Sequence, residues 1–224
     1  MKTIEDFKAV FDRDPAARGF WGIFDVLLTY PGFHAICFHR FAHLLYRTHI
    51  PVIPHLIMWL GRIFTGVEIH PAARIGSGFF IDHGFGVVIG ETSEIGRNVT
   101  LFQGVSIGGT GKETGKRHPT LGDNVVVGAG AKILGGITIG NDVYIGANAV
   151  VLKPVPDNCT VVGVPGRCIS VEGKRVATAM LRHDLLPDPI LSKLESLEKE
   201  IKTVEEDILH WHEKKTKNSS NNNS

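Results

Sequence analysis

An aliphatic residue that returns at every sixth position leaves few folds open to this chain. Ile69, Ile75, Ile81 and Val87 are six apart. After a two-residue slip the series resumes at Ile89, Ile95, Leu101 and Ile107, and after an interruption at Leu121, Val127, Ile133, Ile139, Ile145 and Val151. A helix repeats near 3.6 residues and a two-faced strand every second residue, so neither makes a strict six. A parallel β-helix does, because each hexad forms one short face and a corner, with the aliphatic side chain pointing into a stacked core. Gly often follows the aliphatic residue (Gly76, Gly90, Gly96, Gly108, Gly122, Gly128, Gly140, Gly146), where the backbone turns and a small residue fits.

The flanks follow other periods. Residues 1–66 read as a helical segment: Asp14 before Pro15 is an N-cap with proline at the first helical position, and Pro31, Pro51 and Pro54 divide the stretch into short helices. Its five histidines (His34, His39, His43, His49, His55) lie among apolar residues and read as structural. Residues 67–170 form the β-helix, with a loop over 108–120. Residues 171–213 are a linker and a heptad helix, whose seam Ile190, Leu194, Leu197, Ile201, Val204, Ile208 and Trp211 steps by four and three. The polar tail 214–224 reads as disordered.

Charge is close to balance, 24 Lys plus Arg against 23 Asp plus Glu, which argues against a nucleic-acid partner. No apolar signal segment opens the sequence. Ile50–Phe64, the most apolar stretch, is interrupted by Pro51, Pro54, His55 and Arg62 and is too short to span a bilayer, so it reads as a buried helix. The three cysteines, Cys37, Cys159 and Cys168, lack CxxC spacing and read as free thiols in a reducing compartment, hence a cytoplasmic protein without a membrane partner.

Two places carry chemistry. The interruption "GGTGKETGKRHPT" adds about eight residues to one hexad and fails the spacing of a P-loop. It ends in Arg117-His118-Pro119, and a guanidinium fork suits a carboxylate, although a solvated loop charge is the alternative. Asp82 and His83 stand side by side just past an inward position, on a corner facing solvent or a neighbouring subunit. Glu68, fifteen residues earlier, is placed one coil away and so able to orient the imidazole, a recurrent arrangement for a general base. The alternative is that Asp82 caps the corner and His83 stacks on its neighbours.

The segments "RDPAARG", "EIHPAARIG", "IDHGFGVVIGET", "FQGVSIGGTGK", "KRHPTLGDNVVVGAGAKILG", "IGANAVVLKPVP" and "VVGVPGR" resemble the serine O-acetyltransferases, over roughly residues 4–170. The resemblance implies a left-handed parallel β-helix (hexapeptide repeat) that assembles as a homotrimer or a multiple of it, with active sites between subunits. It implies transfer of acetyl from acetyl-CoA to the hydroxyl of L-serine in cysteine biosynthesis, by direct attack. By the same resemblance His83 is the general base and Glu68 its carboxylate partner. Asp14 and Asp82 would anchor the serine ammonium, and Arg117 with His118 its carboxylate. Acetyl-CoA would lie near Gly109, Ala129 and Ala147, with Lys132 or Lys153 at its phosphates. L-Cysteine would act as a feedback inhibitor in the serine pocket, and no metal is implied.

Three features depart from the family pattern. Glu68 stands where many members carry Asp. The helical segment is shorter than in the long enzymes, whose extra helices join two trimers. The chain ends in Asn and Ser instead of the isoleucine that docks into cysteine synthase, so that complex is not implied. Three other functions remain open at this stage: acetylation of another hydroxyl or amine, such as a sugar; a zinc carbonic anhydrase-like enzyme using His70, His83 and His118; and a non-catalytic scaffold.

Overall fold

In a computed structural model of the chain, residues 2–111, 114–169, 194, 196–205 and 208 are described. The chain forms two compact units, Met1–Leu186 and Pro187–Ser224. Four helices open the first: α1 (Lys2–Arg13), α2 (Gly22–Thr29), α3 (Pro31–Arg47) and α4 (Ile53–Thr65), with a 3-10 turn at Pro15–Ala17. Asp14 caps that turn, its Oδ1 accepting from the Ala16 N–H at 2.8 Å.

Among the described residues fifteen strands of two or three residues follow. They stack in three columns, parallel throughout except for β15: sheet A is β1 (Glu68–Ile69), β4 (Val88–Ile89), β7 (Ser106–Gly108), β10 (Lys132–Leu134) and β13 (Val150–Val151). Sheet B holds β2 (Arg74–Ile75), β5 (Glu94–Ile95), β8 (Thr120–Leu121) and β11 (Thr138–Ile139). Sheet C holds β3 (Phe80–Ile81), β6 (Thr100–Leu101), β9 (Val126–Val127), β12 (Tyr144–Ile145), β14 (Thr160–Val162) and β15 (Arg167–Ile169). The chain visits A, B and C in turn, which is the parallel β-helix that the hexads predict, and the fold is the left-handed form that the resemblance implies. Inward residues stack like on like: Ile69, Ile89, Ile107, Ile133 and Val151 form the column under sheet A, each at most 2% exposed. Each such side chain contributes about 1.5–3 kcal/mol by burial.

The coil length is where the repeat departs from itself. Val88 pairs with Ser106, three hexads on, and the same spacing joins Thr120 to Thr138 and Lys132 to Val150. Two sets of pairings overshoot that spacing: Glu68 with Val88, Arg74 with Glu94 and Phe80 with Thr100 by two residues, and Ser106 with Lys132, Glu94 with Thr120 and Thr100 with Val126 by eight. The first excess is the two-residue slip and the second the eight-residue loop.

The helices close the N-terminal end of the coil. Asp6, fully buried, receives Arg40 of α3 at 3.0 Å and the Phe79 N–H at 3.0 Å. Burial pushes its carboxyl up against the opposing pull of Arg40. His39 donates from Nε2 to the Ala73 carbonyl at 3.1 Å, and His43 from Nδ1 to that of Pro71 at 2.8 Å, so these two histidines are structural. Gly32 lies where a Cβ would meet the Ile81 carbonyl oxygen at 2.0 Å, so only glycine lets α3 approach the coil.

Two expectations are corrected here. Helix α4 is not a buried helix: Met58, Gly61 and Thr65 face inward, while Ile53, Leu56, Trp59, Leu60, Ile63 and Phe64 are 42–73% exposed. Cys159 and Cys168 are not free thiols but a disulfide, because β14 and β15 form an antiparallel hairpin that brings their Cα atoms to 5.9 Å; Cys37 is the free one. In the second unit, residues 196–205 are helical, and Leu194, Leu197, Ile201, Val204 and Ile208 are all exposed. Ile190, Trp211 and the tail expected to be disordered lie outside the described residues.

Candidate active site

Asp82 and His83 occupy the corner between β3 and β4, where sheet C turns into sheet A. This corner holds the two extra residues. His83 adopts a left-handed backbone (φ 58°), a conformation in which Asn, Asp and His are enriched among non-glycine residues. Its ring is 74% exposed, with Nε2 3.9 Å from Asp82 Oδ1. Asp82 is half-buried. Burial pushes its carboxyl above the usual range, His83 pulls it down, and the like charge of Asp14 pushes it up again.

Asp14 is brought alongside by α1, whose Arg13 donates to Thr100 Oγ1 on sheet C at 2.9 Å. The second carboxylate oxygen of Asp14 accepts from the Tyr30 hydroxyl at 2.7 Å. Burial and the neighbouring carboxylates push that phenol up to about 12, so it stays a donor. Among the described residues no Lys or Arg pairs with Asp14 or Asp82. Two carboxylates on an open corner, both half-buried, suit a cation that carries hydrogen-bond donors.

Glu68 does not meet His83. Its carboxylate pairs with Arg62 of α4 at 3.0 Å. The expected contact assumed a regular coil, but the first coil carries the slip, so Glu68 stacks under Val88 and not under the histidine.

Arg117 and His118 close the long loop at a different corner, where sheet A turns into sheet B. Thr92 organises them: its hydroxyl oxygen accepts the backbone N–H of Arg117 (3.1 Å) and of His118 (3.0 Å). The Thr92 N–H donates to His118 Nδ1 at 3.2 Å, which assigns the ring proton to Nε2. His118 is buried, and desolvation followed by the Arg117 charge lowers its pKa, so the ring is a neutral donor near pH 7. Gly90 makes room for it, since a Cβ there would lie 2.0 Å from His118 Cδ2. Arg117 donates to Glu91 at 2.9 Å, and this bond holds the Glu91 carboxyl below its usual range.

The residues expected near an acyl donor divide the same way. Ala129 and Ala147 lie in the turns stacked above the Asp82 corner, where Asn148 N–H donates to the Ala129 carbonyl at 2.8 Å. Gly109 lies beside Arg117 and His118. Lys132 is engaged with the Gly104 carbonyl, and Lys153 is exposed. One chain therefore carries an acidic half-site and a cationic half-site at the two edges of sheet A, separated by about five extended residues, or ~17 Å. His70 accepts the Ala72 N–H at the cationic corner, apart from His83, and the described residues hold no cluster of three His, Cys, Asp or Glu fit for a metal. Sequence reasoning missed Tyr30, Gly90, Glu91 and Thr92, which become partners only through stacking.

Residues 118–153 match the family model described as bacterial transferase hexapeptide (six repeats). The chain is 56% identical to the serine acetyltransferase of Bacillus subtilis (strain 168) over 197 residues, 88% of this chain and 89% of that protein. The serine acetyltransferase of Brucella abortus strain S19 in complex with coenzyme A has 46% identity and a TM-score of 0.71, with 75% of this chain and 66% of that one covered. A serine acetyltransferase in complex with cysteine has 46% identity and a TM-score of 0.72, with 75% and 68% covered.

Proposed function

The chain belongs to the serine acetyltransferase family, and on that premise we propose how its own residues carry the reaction. It is an acetyl-CoA-dependent acyltransferase that acetylates the L-serine hydroxyl, giving O-acetyl-L-serine and CoA on the route to cysteine. His83 takes the hydroxyl proton as the serine oxygen attacks the thioester carbonyl carbon. The C–S bond breaks, and the departing thiolate recovers that proton. A hydroxyl is a weak nucleophile at neutral pH, so a positioned imidazole supplies the base. Asp14 and Asp82 receive the ammonium, while Arg117 and His118 receive the carboxylate.

The observation that carries this reading is the separation of the two half-sites. An amino acid is far shorter than the width of sheet A. The acidic corner of one copy and the cationic corner of a neighbour must therefore meet on one ligand, as they do when flat-faced coils close into a homotrimer. Two carboxylates opposed by a guanidinium fit a zwitterion better than a sugar. Glu68 keeps a positioning role in this proposal: its strand runs one coil below the His83 corner, and exchange of Arg62 for the ring would orient it. Acetyl-CoA lies along the turns at Ala129 and Ala147 and against Gly109, with Lys153 free for its phosphates and Lys132 reaching them on leaving Gly104. L-Cysteine has the same ammonium and carboxylate, so it inhibits by occupying the same pocket.

Among the described residues no helix is long and apolar enough to cross a membrane. The Cys159–Cys168 disulfide removes the free-thiol argument for a reducing compartment, so a cytoplasmic location is proposed on the acetyl-CoA-dependent reaction alone. The test is release of CoA thiol from acetyl-CoA with L-serine present and absent. Release that depends on L-serine and is suppressed by L-cysteine supports the reading; release with a sugar acceptor and none with serine overturns it.

A further inference from the structure

Asp14 has a neighbour that the reaction does not require. Tyr30 joins α2 to α3, ending one helix and capping the next, and Pro31 after it restricts its backbone to the extended region it adopts (φ −84°, ψ 101°). The ring packs against the apolar cluster of Ala9, Val10, Ala17, Val26 and Phe80. Backbone and ring are thus both held before the hydroxyl makes any bond. That hydroxyl donates to Asp14 Oδ2 at 2.7 Å, while the Ala16 N–H holds Oδ1 at 2.8 Å. With one donor on each oxygen, the plane of the Asp14 carboxylate is set from two sides.

We propose that Tyr30 is a positioning residue, which aims the Asp14 carboxylate at the substrate ammonium and so sets serine affinity without touching substrate or acyl donor. The proposal rests on the assignment of Asp14 and Asp82 to the ammonium. Its physical content is pre-organisation. Asp14 and Asp82 repel one another when no cation lies between them. A carboxylate free to rotate would relieve that repulsion by turning away, and would have to be turned back when serine binds. The Tyr30 hydroxyl prevents the rotation. It remains a donor throughout the working range, because burial and the adjacent carboxylates disfavour the phenolate.

Tyr30→Phe keeps the ring in its cluster and removes only the donor. The expected result is a rise of about tenfold in the KM for L-serine, the scale of one hydrogen bond to a charged group. The inhibition constant for L-cysteine should rise by the same factor, with kcat and the KM for acetyl-CoA unchanged. A competitor that lacks the amino group, 3-hydroxypropanoate, should inhibit wild type and variant equally, since it does not use Asp14. In an Asp14→Asn background Tyr30→Phe should have no further effect. Equal weakening of serine and 3-hydroxypropanoate, or loss of kcat and acetyl-CoA affinity alongside, makes Tyr30 merely structural and overturns the proposal. If Asp14→Asn raises the serine KM and Tyr30→Phe does not, the positioning role falls while the ammonium site stands. If neither does, both fall.

Discussion

The C–A and A–B corners flank the same short strands of sheet A, yet they are electrostatic opposites. The first gathers Asp14, Asp82, His83 and a tyrosine hydroxyl, with no Lys or Arg paired to either aspartate among the described residues. The second presents Arg117 and a neutral, buried His118, both hung on one threonine hydroxyl. They also arise differently. The helical segment folds back to complete the acidic corner, whereas an insertion in the coil makes the cationic one. The regular coils of three hexads direct their aliphatic side chains inward, and their polar corners, such as Asp123-Asn124 and Asn141-Asp142, bond to one another along the stack. Chemistry therefore collects in the two coils that exceed three hexads, and their excesses fall at different corners. On the function proposed above, a chain built this way holds two halves of a site and needs a second copy to join them.

Substitutions at the two corners should separate kinetically. The largest effect is expected at the acidic corner, where His83→Ala should lower kcat by roughly two to four orders of magnitude, the range of a general base. Steady-state assays on a folded variant that turns over near the wild-type rate would reduce His83 to a corner residue. At the cationic corner Arg117→Ala should act on serine binding and not on acetyl-CoA. Loss of a charge-assisted pair costs about 1.5–3 kcal/mol, or roughly ten- to 150-fold in serine KM. A serine KM that stays at its wild-type value would leave Arg117 as a partner of Glu91 alone.

Cys168→Ser provides the control between these two. It opens the loop closed by a disulfide of sequence separation 9, which is worth roughly 2–3 kcal/mol of stability in the chain-entropy account. Denaturant titration should show that loss while both serine and acetyl-CoA KM values hold, so general destabilisation does not imitate a corner defect. The smallest effect is the pH dependence of Asp82. Its folded pKa is raised, so the protonated carboxyl stabilises the free enzyme at low pH, and that contribution is lost as pH rises through the raised value. Serine binds the ionised form. Its thermal-shift increment should therefore grow with pH over a window just above the ordinary carboxylate range, and Asp82→Asn should flatten it.

The hexads were legible because a strict period of six has one structural solution, and every aliphatic position they name is buried. Asp82, His83, Arg117 and His118 were legible because they break a plain repeat. The rest was hidden by stacking. Thr92 and Arg117 are 25 residues apart and meet only across a coil lengthened by the loop. Glu68 was paired with His83 on a regular coil, and the slip that creates the histidine corner is what separates them. The disulfide escaped because a hairpin reversal, and not the repeat, sets its two cysteines face to face. Exposure of α4 escaped too, since apolar composition marks a face to be covered without saying by what.

The central claim is that one catalytic site is shared between neighbouring copies, and subunit mixing tests it most directly. His83→Ala and Arg117→Ala chains are denatured together, refolded and assayed for serine-dependent CoA release. The assay uses a serine concentration far below the raised KM of Arg117→Ala, where each parent is nearly inactive alone. In a closed ring every mixed trimer contains one interface with His83 from one chain and Arg117 from the next, so random mixing should restore about a quarter of wild-type activity. Restoration to that level is the result predicted here. Mixed assemblies confirmed by mass spectrometry that remain as inactive as the parents would place both half-sites within one chain and contradict the account.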